Sequence, residues 1–414
     1  MSVEIITIGN ELLQGLGADT NGPWIAERLA TIGLEVHYKT TVGDDTGRMA
    51  EAFRAAAHRA SIVIATGGLG PTPDDLTRKT IATVFRRRLV LDEAVLDNIR
   101  ARFRQRGIEM PAINEAQALI PRGAKVIENP RGTAPGLHFT HLESNYFCLP
   151  GVPSETRAMV DHYVLPFLKA RSIAPPIDRR IVRTVGIAES TLAERLQALE
   201  GEETGTRFGY LPHSNGLDIV LSPATAEVAW TREALDRTER RVREIAGRHV
   251  YGSDRETLSS VLGAALVERK LTIATAESFT GGAVGATITE TAGASRYLLG
   301  GVIAYSNRAK QELLGVRATT LERHGAVSAE VAEEMAKGAR DRFDSDLALS
   351  STGIAGPDGG SPEKPVGLVY LGLAMRDGVW TERFILGGTR DEVVDRSVAY
   401  ALDLARRHLA LSPV

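Results

Sequence analysis

Residues able to do chemistry gather at three points in the last third of the chain, each directly after a run of apolar and β-branched residues. Ala276-Glu277-Ser278-Phe279-Thr280-Gly281-Gly282 leaves one such run, turns on glycines and enters a helical pattern. A serine there has its Oγ near the unpaired N–H groups of a helix N-terminus, which can stabilise a developing oxyanion. The same letters also suit a plain N-cap by Ser278 or Thr280. Tyr305-Ser306-Asn307-Arg308-Ala309-Lys310 follows a second run and offers a phenol and an amine. Either can exchange protons with a serine once the fold brings them together, although an isolated lysine is ordinarily a solvated charge. Ser351-Thr352-Gly353-Ile354-Ala355-Gly356-Pro357 closes a third run with a glycine turn. Such a backbone can wrap a phosphate or carboxylate, or simply reverse the chain.

Another glycine turn lies near the other end. Ile62-Val63-Ile64-Ala65 runs straight into Thr66-Gly67-Gly68-Leu69-Gly70-Pro71, at the carboxyl end of a strand, where parallel α/β sheets bind ligands.

The elements that must hold these turns read as α/β throughout. Strands at Val3 to Ile8, Val36 to Val42 and Ile62 to Ala65 alternate with helical patterns, the signature of a parallel sheet layered with helices. Pro175-Pro176 then punctuates the chain. Residues 171–252 read as a small α+β module, with strands at Arg180 to Val185 and Leu217 to Leu221, a short helix from Ser190 and a charged helix from Ala229 to Gly247. A third domain, 253–414, opens with a helix from Leu258 and a strand at Leu271 to Ala274. Strands at Tyr297 to Tyr305, Leu347 to Ser351, Val366 to Leu373 and Trp380 to Leu386 follow, with helices at Ser328 to Arg342 and Asp391 to Leu409. Residues 1–170 make the first domain. A length of 414 residues suits such a division, and 43% apolar with 24% charged residues excludes wholesale disorder.

Lys and Arg number 49 against 52 Asp and Glu, a net charge of −3, so the balance does not advertise a polyanion partner. One cysteine, Cys148, makes no internal disulfide and sits in the apolar run Tyr146-Phe147-Cys148-Leu149, which reads as core. There is no signal-peptide pattern and no uninterrupted apolar span of membrane length. The expectation is a soluble cytoplasmic protein.

The three C-terminal segments, with Gly300-Gly301-Val302, His324-Gly325-Ala326-Val327-Ser328 and Glu363-Lys364-Pro365-Val366-Gly367, resemble the C-terminal domain of the CinA family, the nicotinamide mononucleotide (NMN) deamidases. The resemblance covers roughly 260–410. It implies Ser278 as nucleophile, supported by Tyr305 and Lys310, with no metal. Lys310 would draw the Ser278 proton directly or through Tyr305, and N–H groups of Thr280, Gly281 and Gly282 would hold the oxyanion. Glu277, Thr352, Gly353, Lys364 and Arg390 complete the expected substrate contacts, the nucleotide phosphate meeting Thr352-Gly353 and Arg390. Phe279 stands where the family usually has cysteine, a change expected to act on pocket shape.

The N-terminal part resembles the family's molybdopterin-binding-like domain through Gly9-Asn10-Glu11-Leu12-Leu13, Asp19-Thr20-Asn21, Gly43-Asp44-Asp45, the stretch from Thr66 to Thr77, Gly132-Thr133-Ala134-Pro135-Gly136 and Leu149-Pro150-Gly151-Val152-Pro153-Ser154-Glu155. That resemblance implies a metal-dependent ADP-ribose pyrophosphatase. Gly67, Gly68, Gly70 and Thr72 would cradle the diphosphate. Asp44, Asp74, Asp75 and Glu11 would offer oxygens to Mg²⁺ or a similar divalent metal. Asp74 and Asp75 also suit caps for a helix beginning near Leu76. A ligand-binding role for this domain, for instance toward a pterin, is the alternative to turnover.

Gly186-Ile187-Ala188-Glu189-Ser190 resembles the family's small KH-like domain. A nucleic-acid-binding KH needs a Gly-x-x-Gly loop, and none occurs between 171 and 250. With 12 arginines and no lysine against 12 acidic residues in that stretch, the module is formally neutral and a poor phosphate-backbone binder. The competence or repair role in the family's name is therefore the second reading of the whole protein. NMN and ADP-ribose are the expected partners, with no membrane or nucleic acid, and a homodimer is the expected assembly.

Overall fold

The structure, a computed structural model, describes residues 1–171, 179–202, 205–224 and 232–411. Pro175-Pro176 and residues 229–231, the expected start of the charged helix, lie outside the described residues. Two compact units are formed, Met1–Asp178 and Arg179–Val414.

The first unit is a six-stranded sheet in the order Val36–Val42, Val3–Ile8, Ile62–Thr66, Ser144–Leu149, Gly136–His141, Lys125–Ile127. Its first four strands are parallel and the last two antiparallel. Val3–Ile8 is buried along its whole length, as a central strand covered on both faces must be. One face packs with helices Thr46–Arg59 and Thr77–Val84 around Phe53, Met49 and Ile81. The other packs with Asn21–Ala30 and the helical stretch after Pro153 around Ile25, Leu29 and Val160. Cys148 is 1% exposed inside the first of these clusters, and burial pushes its thiol pKa up, so it stays an inert core group.

In the second unit the small module is a four-stranded antiparallel sheet, ordered Thr206–His213, Gly216–Pro223, Arg180–Thr184, Val250–Ser253, packed against helices Glu189–Glu202 and Arg232–Ala246. Thr206–His213 and Val250–Ser253 go beyond the sequence expectation. Both are edge strands, and the first carries Gly209 and Pro212 and is largely open to solvent, so it lacks the apolar run that marks a covered strand. This module shares one unit with the residues after it. Val185 lies in the same apolar cluster as Leu402 and Leu404, and Arg406 donates to the carbonyls of Arg248 (2.6 Å) and Val250 (3.2 Å).

The remaining sheet runs Leu298–Ile303, Ile273–Glu277, Leu347–Gly353, Leu368–Met375, Gly378–Ile385, three parallel strands followed by two antiparallel ones. Leu258–Arg269, Ala283–Thr289 and Arg390–Leu411 bury one face. Asn307–Leu314 and Ala329–Phe343 bury the other. A Cβ at Gly338, in Ala329–Phe343, would lie 1.9 Å from the Leu314 carbonyl oxygen. The glycine thus permits the approach of Asn307–Leu314, the helix that carries Lys310. Alanine is favoured over glycine in helix interiors by about 1 kcal/mol, yet G338A is expected to melt at a lower temperature than the parent chain, as thermal unfolding followed by circular dichroism will show.

Candidate active site

Strand register decides what the three C-terminal turns can reach. Glu277 is level with Ile303 on one side and with Ser351 on the other. All three strands run the same way, so the turns that follow open at one edge of the sheet. The ladder continues past the strands, with Ser278 N donating to Ser351 O (3.0 Å) and Ala304 N to Glu277 O (2.7 Å).

Ser306 ends the second strand's loop by capping Asn307–Leu314, its Oγ accepting from Ala309 N at 3.1 Å. Lys310 lies one turn into that helix, and helical side chains lean toward the N-terminus. Its amine therefore passes back beneath Ala304 and Tyr305. Nζ lies 2.9 Å from Ser278 Oγ, 2.8 Å from Ala304 O and 3.2 Å from Tyr305 O. Lys310 is 1% exposed and Ser278 8% exposed. Desolvation lowers the Lys310 pKa from 10.5 to about 8. A neutral amine has two N–H bonds and one lone pair. The two carbonyls accept the first, which leaves the lone pair for the Ser278 hydroxyl proton.

The glycine turn is fixed by an acid. The buried Glu277 carboxylate accepts from Gly282 N (3.0 Å), Val284 N (3.0 Å), Gly285 N (2.8 Å) and Thr280 Oγ1 (2.8 Å). Thr280 Oγ1 also pairs with Ser351 Oγ at 2.7 Å. Gly281 and Gly282 adopt φ of 62° and 103°, left-handed values that favour glycine. Several expectations change here. Neither Ser278 nor Thr280 caps Ala283–Thr289. Glu277 and the Thr280 hydroxyl face inward rather than toward a substrate. The Gly281 and Gly282 amides are engaged, Gly281 N by Ser278 O at 3.1 Å. Of the turn's amides, Phe279 N and Thr280 N are the ones left without a hydrogen bond among the described residues.

Tyr305 is 63% exposed, and its phenol accepts from Arg390 Nη2 at 3.3 Å, while Arg390 Nη1 donates to Gly356 O at 3.0 Å. No hydrogen bond joins the phenol to Ser278 or Lys310, so of the two expected routes, direct or through Tyr305, the direct contact is the one present. Thr352 is buried with its hydroxyl donating to Ala326 O at 2.7 Å, and Gly353 stays in the strand ladder opposite Val369, so the hydroxyl is not presented to a ligand. Lys364 Nζ donates to the carbonyls of His324 and Val327, the latter at 2.8 Å, and so clamps two loops together. Phe279 is 6% exposed and packs into the apolar cluster of Val284 and Val369. A Cβ on Gly353 would stand 3.0 Å from its ring. The residue in the unusual position therefore fills core and does not shape the pocket.

In the first unit, a cavity of about 500 Å³ is lined by Gly67, Gly68, Gly70, Glu11, Asp44, Asp74 and Asp75. Gly67 and Gly68 have φ of 115° and 65°, and a Cβ on Gly67 would meet Ile8 O at 2.1 Å. Asp75 does not cap the next helix. Its carboxylate accepts from Gly70 N (2.7 Å), Thr72 N (2.8 Å) and Thr72 Oγ1. Arg78, 5% exposed, donates to the carbonyls of Leu69 and Gly70, the latter at 2.9 Å. Gly67 N donates to Leu149 O at 2.9 Å. Gly68 and Leu69 are therefore the loop residues whose amides stay open, whereas those of Gly67 and Gly70 were also expected to be available. Asp75 and Thr72 brace the loop. Asp44 accepts from Asn10 N at 2.9 Å through one oxygen. Among the described residues no three His, Cys, Asp or Glu side chains are grouped as a metal cage. Mg²⁺ is commonly held by one or two carboxylates, with water and substrate phosphate completing its shell. Asp44 and Glu11, which keep carboxylate oxygens open, fit that pattern.

Three family models match in succession: "Probable molybdopterin binding domain" over residues 4–170, "Damage-inducible protein CinA KH domain" over 179–252 and "CinA C-terminal domain" over 255–409. A CinA-like protein of Gemmatimonas aurantiaca is 41% identical over 414 residues, 99% of this chain and 97% of the relative. One from Acaryochloris marina is 41% identical over 412 residues, 99% of this chain and 98% of the relative. The chain belongs to the CinA family. The crystal structure of the competence/damage inducible protein CihA from Agrobacterium tumefaciens covers 37% of this chain and 93% of that one, with 40% identity and a TM-score of 0.36.

Membership in the CinA family suggests an enzyme of nucleotide or cofactor metabolism. No helix among the described residues of this CinA protein is long and apolar enough to cross a membrane. Its buried lysine also carries a stability signature. Between pH of about 8, the folded value, and 10.5, the unfolded chain holds a proton on Lys310 that the folded chain lacks. Stability contributed at this site must therefore rise with pH across that window. Denaturant unfolding at pH 7.5 and 9.5 is expected to show this rise in the parent relative to K310M, which lacks the titrating group.

Proposed function

We propose that this protein hydrolyses pyridine nucleotides, its C-terminal domain converting NMN to nicotinate mononucleotide and ammonia. The observation that carries the reading is the buried Lys310 Nζ 2.9 Å from Ser278 Oγ, at the edge where three strand-end turns meet. Neutral Lys310 takes the hydroxyl proton as Ser278 Oγ bonds to the carboxamide carbon. The amides of Phe279 and Thr280 face the resulting oxyanion. Lys310 returns the proton to the leaving nitrogen, ammonia departs, and an ester remains on Ser278. Water, deprotonated by the same amine, attacks the ester carbon. The carboxylate leaves as Ser278 recovers its proton. Arg390, at the mouth beside Tyr305, supplies the charge for the nucleotide phosphate.

For the N-terminal domain we propose hydrolysis of ADP-ribose to AMP and ribose 5-phosphate. The open Gly68 and Leu69 amides would meet the diphosphate, and Asp44 and Glu11 would hold a divalent metal. The metal would supply charge neutralisation of the phosphates.

S278A is expected to abolish ammonia release from NMN while circular dichroism stays native. In the parent, kcat/KM is expected to rise with pH and level off above about 8, because the base works only when deprotonated. Turnover by S278A, or a flat profile between pH 6.5 and 9, would refute the assignment. AMP formation from ADP-ribose is expected only with Mg²⁺ or a similar cation and to fall at least tenfold in D44A. Absence of AMP under every metal would leave the domain a binding module.

A further inference from the structure

Glu277 precedes the candidate nucleophile, yet its carboxylate is buried and its hydrogen-bond partners are a hydroxyl and backbone amides, with no cation in ion-pair contact among the described residues. Four donors surround it, and three of them are backbone amides of residues 282, 284 and 285. Buried carboxylates are tolerated when such donors satisfy them. The bonds therefore draw the 280–285 backbone around residue 277. With Gly282 N held by the carboxylate and Gly281 N held by Ser278 O, the turn is pinned from both ends. The amides of Phe279 and Thr280 are left beside Ser278 as its open donors.

We propose that Glu277 is a positioning residue for the amide hydrolysis, locking the turn so that the Phe279 and Thr280 amides stay open and aimed at the oxyanion. This inference rests on the deamidase reading above. It assigns the acid no contact with substrate. Its removal should therefore act on transition-state stabilisation and leave ground-state binding alone. Misplacement of a catalytic group by about 1 Å is enough for a loss of about a hundredfold, and loss of one oxyanion donor has a similar size.

The isosteric change E277Q sets an NH₂ group against backbone N–H donors that need an acceptor. In the full-length protein E277Q is expected to lower kcat on NMN about a hundredfold with KM within threefold of the parent. The rise of activity through pH of about 8 should persist, because the Lys310–Ser278 contact is untouched. A merely structural acid would lower the amount of folded enzyme, which active-site titration and thermal melting read separately, and leave kcat per folded molecule unchanged. T280V removes one donor to the same carboxylate and is expected to lose five- to tenfold in kcat. It serves as the second reading should E277Q not fold. A kcat within threefold of the parent in folded E277Q, or in T280V where E277Q is unfolded, overturns the inference, as does a loss confined to KM. S278A is run alongside. If S278A retains turnover the deamidase reading falls, whereas an inactive S278A with fully active E277Q removes only the role of Glu277.

Discussion

A primary amine enclosed by protein is the constraint on which the C-terminal domain depends. Lys310 is almost fully withdrawn from water, and an ammonium in that place loses hydration that two carbonyls and one hydroxyl only partly replace. The environment thus shifts the balance toward the neutral amine, which is the form that can accept a proton. Holding it there requires the Ser306 cap, the close helix approach permitted at Gly338 and strand ends that finish level at Glu277 and Ile303. A shift of one residue in that register would send Ser278 to the opposite face of its strand.

Both units solve one problem in the same way. A glycine turn at the carboxyl end of a parallel strand must keep some amides free for a ligand while remaining ordered. In each case an acid of the turn engages the amides on its flank, Glu277 those of residues 282, 284 and 285, and Asp75 those of 70 and 72. The amides that remain open sit between the fixed ones, at Phe279 and Thr280 in one unit and at Gly68 and Leu69 in the other. Order of the turn and availability of its donors thus have one cause.

The strands flanking each turn were legible because a covered strand is rich in apolar residues, as Ile62–Thr66 is up to its last residue and as Leu347-Ala348-Leu349 are at the start of Leu347–Gly353. The edge strand Thr206–His213 was not, since solvent covers much of it and relaxes that demand. At the site, Ser278 and Lys310 were candidates by residue type, the family resemblance joined them, and the register brings them into contact. The direction of acidic side chains was not legible. Glu277 and Asp75 read as ligand contacts because a carboxylate in a glycine turn can point either way. Its choice depends on which backbone amides lie within reach, a property of φ and ψ rather than of composition. The partner of the Tyr305 phenol was hidden for a related reason. It lies beyond the end of its strand, where Arg390 of the last helix supplies a partner that sequence distance conceals.

Phe279 belongs to the core of its domain. A ring directly after the candidate nucleophile would narrow the site if it faced outward, but it is held in the core by Val284 and Val369 with Gly353 beneath it. Its backbone N–H, not its side chain, is the part left open beside Ser278. Any side chain there that fills the same core volume leaves the amide where it is, so the position tolerates a change of type without a change of reaction. On the proposed reading, discrimination among substrates would fall instead to the exposed Tyr305 ring and the Arg390 guanidinium, which are joined by one hydrogen bond while Gly356 O anchors the arginine. Those two groups are polar, exposed and borne on different elements. On that reading they would distinguish an anionic, ring-bearing amide from a simple one without disturbing the buried amine proposed to act as base.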